Sequence, residues 1–314
     1  MDILRDSSDT SIQNCLRGIA SALQRLEPLK IEAFRRRIAN LENNLESFNV
    51  CHIKGGLVGI TSSGKSSVLN VLLGTGKKIL KEQSKATTNI IVFCSKSPQP
   101  FLEIHFESSK KVIRHGQDVL NENLWRYTSE DENPQNRLGV RFIRLGLPTF
   151  LAGDQIELAD TPGLDAYGLK EHEDLTLREF LPQADLIIYL TPIGSPMKDA
   201  DRRVLNQIVD AEQRVIFVQT CKGSVVEQSY GDGTVVTVES QLERYKEDFR
   251  SSLQPYSKIK DAPIVQIGTT EVLGFIKERD EEIWRQSGLW EFLETLRHVK
   301  EEIITDLIHT AYPC

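Results

Sequence analysis

The sequence predicts an α/β fold with a mostly parallel central sheet and additional helices at both ends of the chain. Two observations indicate this fold. Across the middle of the 314 residues, roughly from 50 to 296, short apolar runs alternate with amphipathic runs, which is typical of strands joined by helical crossovers. One junction between such a strand and the next helix also carries a glycine-rich loop of the phosphate-binding type.

The glycine-rich loop covers residues 59–66 and reads GITSSGKS. Residues 53–60 predict a short buried strand before it, and residues 66–73 predict the start of an amphipathic helix after it. In this context the pattern G-x-x-x-x-G-K-S surrounds one anion with backbone N–H groups and a helix N-terminus. We therefore predict that the chain binds a nucleoside triphosphate. The predicted contacts are Gly59, Thr61, Ser62, Ser63, Gly64, Lys65, Ser66 and Ser67.

The alternating pattern also predicts the remaining elements of the central region. The expected strands are residues 90–94, 101–106, 140–145, 155–159, 186–191, 214–219 and 264–267. Helices are expected at residues 200–211 and 238–253. The polar stretches 128–137 and 223–234 are expected to be loops.

Both ends of the chain carry helical patterns. Over residues 11–48, interrupted at Pro28, apolar residues recur at spacings of three and four, which places one narrow stripe on each helix. Such a stripe requires a cover, either from its own domain or from a helix of another protein. Residues 289–307 show the same spacing, so we expect the terminal helices to form a small bundle. The predicted division is residues 1–50, an N-terminal helical segment; 51–288, the nucleotide-binding domain; and 289–314, a C-terminal helix packing with the N-terminal helices.

Composition narrows the class of protein. Hydrophobic residues make up 39% of the chain and charged residues 26%, which is ordinary for a globular protein. The net charge of −7 argues against a broad basic surface, so nucleic acid is not an expected partner. The five cysteines are odd in number and form no C-x-x-C pair, which favours reduced thiols and no metal cluster.

The sequence shows neither a secretory signal peptide nor a membrane span. The first residues, MDILRD, are too acidic and too polar for a secretory signal peptide. No apolar run approaches the ~20 residues that a membrane span requires. We therefore expect a cytoplasmic protein, and contact with a membrane surface stays open.

A second motif, Asp160-Thr161-Pro162-Gly163, directly follows a predicted strand. In a GTPase, an acidic group at this strand end holds Mg²⁺, and the glycine N–H meets the γ-phosphate and reports its loss. An ATPase of the helicase or chaperone type would more often have apolar residues followed by an acidic pair here. This motif lies about a hundred residues after the phosphate-binding loop. We therefore interpret the two motifs together as evidence of a GTPase.

A third motif, Ala86-Thr87-Thr88, lies just before the strand predicted at residues 90–94. A GTPase needs a switch threonine in this region to complete the Mg²⁺ site and to position the attacking water. Thr87 and Thr88 both remain candidates, and Thr87 is slightly favoured.

Taken together, these motifs resemble the dynamin superfamily, in particular the bacterial dynamin-like large GTPases, over residues 30–296. The loop continues as SSVLNVLLG through Gly74, as in that family. The switch Ala86-Thr87-Thr88, a long insertion that returns through residues 139–145, and a closing segment at residues 287–293 are also similar. Small single-domain GTPases lack both the flanking helices and this insertion.

The resemblance implies roles for individual residues. Lys65 would hold the β- and γ-phosphates and Ser66 would bind Mg²⁺. Thr87 or Thr88 would order the first switch, with Thr87 completing the metal site, and Asp160 with Gly163 would form the second. Ser62 matches the serine that helps a bound monovalent cation act in place of an arginine finger, whereas Thr61 stands where the family has a glutamine that positions water. The implied reaction is hydrolysis of GTP to GDP and phosphate, activated when two heads dimerise across the nucleotide.

The base-recognition motif departs from the family pattern. The strand at residues 214–219 should end in T/N-K-x-D, whose carboxylate reads guanine, but the chain has Thr220-Cys221-Lys222-Gly223. Thr220 matches, glycine replaces the aspartate, and Lys222 is still able to lie over the base. Asp232 is a candidate substitute for the missing acid, and Thr269 lies in the expected last base-contacting loop. Base selectivity is either maintained by another acid or relaxed.

Two alternatives to an active GTPase stay open. Thr61 and Gly223 favour a nucleotide-gated scaffold with little hydrolysis. The resemblance also fits the head of a membrane-remodelling protein, although only 18 residues follow Leu296. In that case the chain is either the head of a longer protein or a short relative without the stalk.

Overall fold

The computed structural model describes residues 53–82, 90–164, 180–211, 213–231 and 234–311. These residues belong to a unit that extends from His52 to Cys314. The predicted helices over residues 11–48, the switch residues Thr87 and Thr88, and Asp232 lie outside the described residues.

A nine-stranded sheet forms the centre of the described part of the chain. Its strands are β1 (Ile53–Val58), β2 (Ile91–Lys96), β3 (Phe101–Phe106), β4 (Lys111–His115), β5 (Val140–Leu147), β6 (Ile156–Asp160), β7 (Leu186–Pro192), β8 (Arg214–Thr220) and, after a short hairpin of β9 (Gln228–Ser229) and β10 (Val235–Val236), β11 (Ile264–Gln266). The spatial order is β11-β8-β7-β1-β6-β2-β5-β3-β4.

Eight α-helices accompany the sheet within the described ranges. They are α1 (Lys65–Leu72), α2 (Gln117–Asn121), α3 (Trp125–Thr128), α4 (Asp199–Asp210), α5 (Val238–Ser252), α6 (Thr269–Leu273), α7 (Glu281–Gln286) and α8 (Leu289–Ala311). Side chains cap two of them: Thr237 accepts a hydrogen bond from the backbone N–H of Ser240 at the start of α5, and Asp280 does the same for Glu282 at the start of α7. Among the helices of these ranges, none combines the length and apolar character that a membrane span requires.

The sheet has a parallel half and a mixed half. Strands β11, β8, β7, β1 and β6 pair in parallel, whereas β2 runs antiparallel to β6 and β3 pairs antiparallel with both β4 and β5. In parallel strands the carboxyl ends meet at one edge of the sheet. The loops that follow β1, β6, β8 and β11 therefore lie side by side, and they carry the predicted site. The predicted α/β fold with a mostly parallel sheet is confirmed.

The C-terminal helix α8 packs on this sheet. Leu289 and Phe292 are fully buried and Leu296 is 1% exposed, and all three belong to the hydrophobic core that covers one face of the strands. The spacing of three and four that predicts the helix therefore also marks its buried face. The predicted partners of α8, the N-terminal helices, lie outside the described residues, so their packing stays a prediction.

Three local differences separate the structure from the sequence-based elements. The predicted loop at residues 128–137 contains the end of α3 and a 3₁₀ turn at Pro134–Asn136. The predicted loop at 223–234 contains a 3₁₀ turn at Lys222–Ser224 and strand β9. Strand β4 was not predicted, because its residues are mostly exposed at the sheet edge and lack an alternating apolar face.

Candidate nucleotide-binding site

Two glycines shape the loop that joins β1 to α1. A Cβ atom on Gly59 would lie 2.4 Å from the carbonyl oxygen of Leu190 in β7, so only glycine fits against this neighbouring strand. Gly64 has φ of 91° and directly precedes α1, a left-handed conformation that glycine adopts without strain. Ser62, at the exposed tip of the loop, also has a positive φ of 64°. The loop thus curves tightly from the strand end to the N-terminus of the helix.

Lys65 lies inside the curve of this loop. Its side chain is 7% exposed, and Nζ donates hydrogen bonds to the carbonyl oxygens of Gly59 at 3.0 Å and Ile60 at 2.9 Å. Ser63 is fully buried, and no hydrogen-bond partner for its Oγ exists among the described residues. The loop therefore encloses an ammonium group and an unused hydroxyl, both of which suit a phosphate ligand.

Ser66 and Asp160 meet where α1 begins and β6 ends. Ser66 Oγ donates a hydrogen bond of 2.8 Å to Asp160 Oδ2. Asp160 is 1% exposed, and its Oδ1 has no hydrogen-bond partner within the described ranges. Burial raises the pKa of Asp160 to about 6, against the lowering effects of the Ser66 hydrogen bond and the Lys65 charge. A hydroxyl and a carboxylate with a spare oxygen are ligands that Mg²⁺ accepts.

The segment after Asp160 is pressed against the phosphate-binding loop. Thr161 Oγ1 donates to the carbonyl oxygen of Leu57 at 2.7 Å, which ties the segment to β1. A Cβ atom on Gly163 would lie 2.4 Å from Thr61 Oγ1 and 3.0 Å from Thr61 Cα. The two predicted nucleotide-contacting segments are therefore in direct contact at Thr61 and Gly163.

Thr220, at the end of β8, contacts the same loop at Ser63 and Gly64. Its Oγ1 donates to the carbonyl oxygen of Ser63 at 2.9 Å, and its side chain is 2% exposed. A Cβ atom on Gly64 would lie 3.1 Å from Thr220 Cγ2. The end of β8 therefore determines where the turn of the phosphate-binding loop lies.

The loops that follow β8 and β11 meet beside this contact. The backbone N–H of Lys222 donates to the carbonyl oxygen of Ile267 at 3.2 Å, and Thr269 begins α6 directly afterwards. Lys222 is half-buried, and this burial lowers its pKa, while the negative charge of Glu291 opposes the shift. Lys222 and Thr269 thus lie beside the same junction, and their contact with a base stays a prediction.

Glu271 occupies the gap beside Gly223. A Cβ atom on Gly223 would lie only 1.6 Å from Glu271 Oε1, and one on Gly268 would lie 2.4 Å from Glu271 Oε2. Glu271 could not be found from the sequence, because it follows a different strand and belongs to no base-recognition motif. An acidic residue shortly after the predicted strand at 264–267 was the available signal.

The structure places most predicted site residues at one edge of the sheet. The phosphate-binding loop, Asp160, Gly163 and Thr220 are joined by the contacts above, and Ser67 lies half-buried in the first turn of α1. Thr87 and Thr88 lie outside the described residues. The nucleotide-binding, metal-binding and catalytic roles of all these residues stay predictions.

Comparison with protein families gives one match. A sequence profile described as "Dynamin family" matches residues 56–221, a range that begins within β1 and ends just after β8. The matched range includes the phosphate-binding loop, the Asp160 motif and Thr220.

Two curated proteins are similar in sequence. An uncharacterised protein in the xynA 3′ region of Caldicellulosiruptor sp. (strain Rt8B.4) is 22% identical over 208 residues, which cover 66% of this chain and 49% of that protein. A probable transmembrane GTPase, FZO-like and chloroplastic, of Arabidopsis thaliana is 28% identical over 164 residues, or 52% of this chain and 14% of that protein. The chain therefore spans half or less of the length of these relatives.

Two solved chains share the fold. Both come from an oligomerised bacterial dynamin pair described as a mechanism for long-range sensing and tethering of membranes. One is 17% identical with a TM-score of 0.57, covering 96% of this chain and 46% of its own length. The other is 18% identical with a TM-score of 0.52, covering 94% of this chain and 54% of its own length. Identities this low establish the fold alone.

Proposed function

The chain belongs to the dynamin family, and from this premise we propose that it is a Mg²⁺-dependent GTPase that hydrolyses GTP to GDP and phosphate. The observation that carries the proposal is the 2.8 Å hydrogen bond between Ser66 Oγ and Asp160 Oδ2. It joins the first residue after the loop lysine to the acidic residue of the second motif. In a GTPase the first of these binds Mg²⁺, and the second holds the metal through its water shell, while a switch threonine completes the site.

The site residues have separate tasks in this proposal. Ser66 and Asp160 would hold Mg²⁺, which neutralises charge on the β- and γ-phosphates. Lys65 would exchange its two carbonyl partners for phosphate oxygens, a stronger charge-assisted contact. Gly163 would report the γ-phosphate through its contact with Thr61, since a ligand that moves either segment must move the other.

Hydrolysis would require groups beyond these. Thr87 or Thr88 would order the first switch and complete the site around Mg²⁺ and the attacking water. Ser62, exposed at the tip of the loop, would help a monovalent cation to bind there. We further propose that two copies of the chain dimerise across the nucleotide and that this contact raises the rate, as in dynamins.

One observation favours a weaker enzyme. Thr61 stands where the family has a glutamine. Its side chain lies against Gly163 and is shorter than that of glutamine, so it is too short to position the attacking water. A nucleotide-gated scaffold with slow hydrolysis is therefore the second candidate function. In both cases we propose that the protein works in the cytoplasm, without nucleic acid as a partner.

The similar proteins suggest where such a switch would act. One is named a transmembrane GTPase and the other two are described with membrane tethering. We propose that this chain acts at a membrane surface, either as the head of a longer protein or with a helical partner. Co-sedimentation of the chain with liposomes, with and without GTP, tests this part separately.

Nucleotide binding tests the central proposal. Calorimetry with GTP, ATP and a non-hydrolysable GTP analogue in Mg²⁺ should give binding that Lys65→Ala abolishes. Absence of binding to the unmodified protein would overturn the proposal.

Turnover at increasing protein concentration then separates the two candidate functions. A specific activity that rises with concentration supports an enzyme activated by dimerisation. A low, constant specific activity together with tight GTP binding supports the scaffold.

A further inference from the structure

We propose that Glu271 is the residue that recognises the guanine base, replacing the aspartate that position 223 lacks. This inference rests on the proposed function, because it assigns a base to the nucleotide bound at the same site. It concerns a carboxylate on α6, the helix that follows β11, rather than one in the loop after β8.

The geometry around Gly223 carries the inference. A Cβ atom on Gly223 would lie 1.6 Å from Glu271 Oε1, so the carboxylate occupies the space into which an aspartate side chain at position 223 would extend. The second oxygen, Oε2, approaches the position of a Cβ on Gly268 at 2.4 Å. Two glycines, one at each strand end, thus make room for one carboxylate.

The backbone around this carboxylate is anchored to the phosphate-binding loop. Thr220 binds the carbonyl of Ser63, and Lys222, which follows two residues later, binds the carbonyl of Ile267 through its backbone N–H. Gly268 in turn donates its N–H to the carbonyl of Ser287. The start of α6, which carries Glu271, is therefore held at a fixed position relative to the loop that would hold the phosphates.

The carboxylate of Glu271 is available to a ligand. Glu271 is exposed, and across the described ranges no hydrogen bond or ion pair involves its side chain. Two features explain why the group still has a defined place. Glu271 lies in the first turn of α6, and its carboxylate fills the space where side chains on Gly223 and Gly268 would begin. An exposed carboxylate with both oxygens unused is the acceptor pair that guanine requires.

The chemistry of the base makes the proposal specific. Guanine presents two neighbouring donors, N1–H and the 2-amino group, which a carboxylate accepts in parallel. Adenine has no donor at N1, and xanthine replaces the 2-amino group with a carbonyl oxygen. A carboxylate therefore selects guanine, whereas a carboxamide at the same place accepts from N1–H and donates to the xanthine carbonyl.

The test compares GTP, XTP and ATP binding to the full chain in Mg²⁺ by calorimetry, for the unmodified protein and for Glu271→Gln. The unmodified protein should prefer GTP. In Glu271→Gln, GTP affinity should fall by about a hundredfold while XTP affinity rises. The reason is that the amide replaces one acceptor oxygen of the carboxylate by an NH₂ donor. The control is Glu278→Gln, an exposed carboxylate in the turn after α6, which should leave all three affinities unchanged.

A second variant moves the carboxylate back to the position where dynamins have it. Glu271→Ala alone should lose the GTP preference, because it removes the proposed acceptor. The double variant Gly223→Asp with Glu271→Ala should recover the GTP preference. Gly223 has no positive φ, so its backbone accepts a side chain.

The outcomes distinguish the two proposals. If the unmodified protein binds no nucleotide, the proposed function fails and this inference fails with it. If GTP binds through Lys65 but Glu271→Gln leaves the GTP, XTP and ATP affinities unchanged, only the inference is overturned. Equal binding of GTP and ATP to the unmodified protein also overturns the inference; nucleotide binding at Lys65 would stand, but without selectivity for guanine.

Discussion

Thr220 Oγ1 donates a hydrogen bond of 2.9 Å to the carbonyl oxygen of Ser63, although 157 residues separate the two in the sequence. The contact joins the end of β8, which leads to the predicted base-recognition loop, to the predicted phosphate-binding loop after β1. A single hydroxyl thus connects the two halves of the candidate site. Its removal should affect nucleotide binding more than the fold.

Thr220→Val tests this connection. The substitution keeps the shape of the side chain but leaves the buried Ser63 carbonyl without the threonine donor, at a cost of about 1 kcal/mol in stability. We expect GTP affinity to fall about tenfold, since the same hydrogen bond positions the loop. Thr220→Ser keeps the hydroxyl and should stay close to the unmodified protein in a calorimetric titration. Equal affinities for both variants would contradict a bracing role.

Asp160→Asn should separate stability from function. The folded-state pKa of about 6 lies above the ordinary value of 3.8, so the ligand-free protein is destabilised as pH rises through 6 and the buried carboxylate ionises. Removing the charge should therefore raise the free energy of unfolding at pH 7.5 by on the order of 2–3 kcal/mol. At pH 4 the difference should nearly vanish.

Urea unfolding of both proteins in EDTA at the two pH values measures this effect. The same variant should lose Mg²⁺-dependent GTP binding, because it removes a charge that we propose holds the metal. A variant that is less stable than the unmodified protein at pH 7.5 would contradict the destabilising role of the buried carboxylate.

Much of the fold could be predicted because the strands at the centre of the sheet contain buried apolar runs. Strands β7 and β8 are buried on both faces, so each is a continuous hydrophobic run that stands out in the sequence. The edge strand β4 could not be predicted, because solvent exposure permits charged residues such as Lys111 and Arg114 there. Burial, and not strand formation itself, produces the detectable pattern.

Some residues of the candidate site could be predicted from the sequence and others could not. The phosphate-binding loop and the Asp160 motif could be predicted, since each combines residue types with a strand in a fixed order. The proximity of Glu271 to Gly223 could not, because it depends on β11 pairing beside β8 and on the side-chain direction at the start of α6. Contacts between loops that follow different strands require the register of the sheet.

Phe292→Ala tests whether α8 is an integral part of the sheet domain. Phe292 is fully buried in the core that the helix shares with the strands, so truncation should reduce the free energy of unfolding by about 3–5 kcal/mol. Leu307→Ala, on the same helix but 37% exposed, should change it by less than about 0.5 kcal/mol. Chemical unfolding monitored by circular dichroism measures both. A small effect of Phe292→Ala would mean that the helix detaches before the sheet unfolds.

Gly163→Ala tests the coupling between the two nucleotide-contacting segments. The added Cβ would lie 3.0 Å from Thr61 Cα and 3.1 Å from Thr61 N, and these backbone atoms cannot move aside as a flexible side chain would. The second motif must therefore shift away from the phosphate-binding loop. We expect GTP turnover to fall at least tenfold. The melting temperature should fall as well, because Thr161 and Leu164 on either side of Gly163 are buried.

Gly274→Ala is the matched control for this variant. A Cβ atom on Gly274 meets nothing within 4 Å, and its φ of −66° is ordinary for alanine. The control should retain full GTP turnover and full GTP binding. If Gly163→Ala also retains both, the contact between Thr61 and Gly163 does not transmit the state of the nucleotide, and the switch must operate through the segment that carries Thr87 and Thr88.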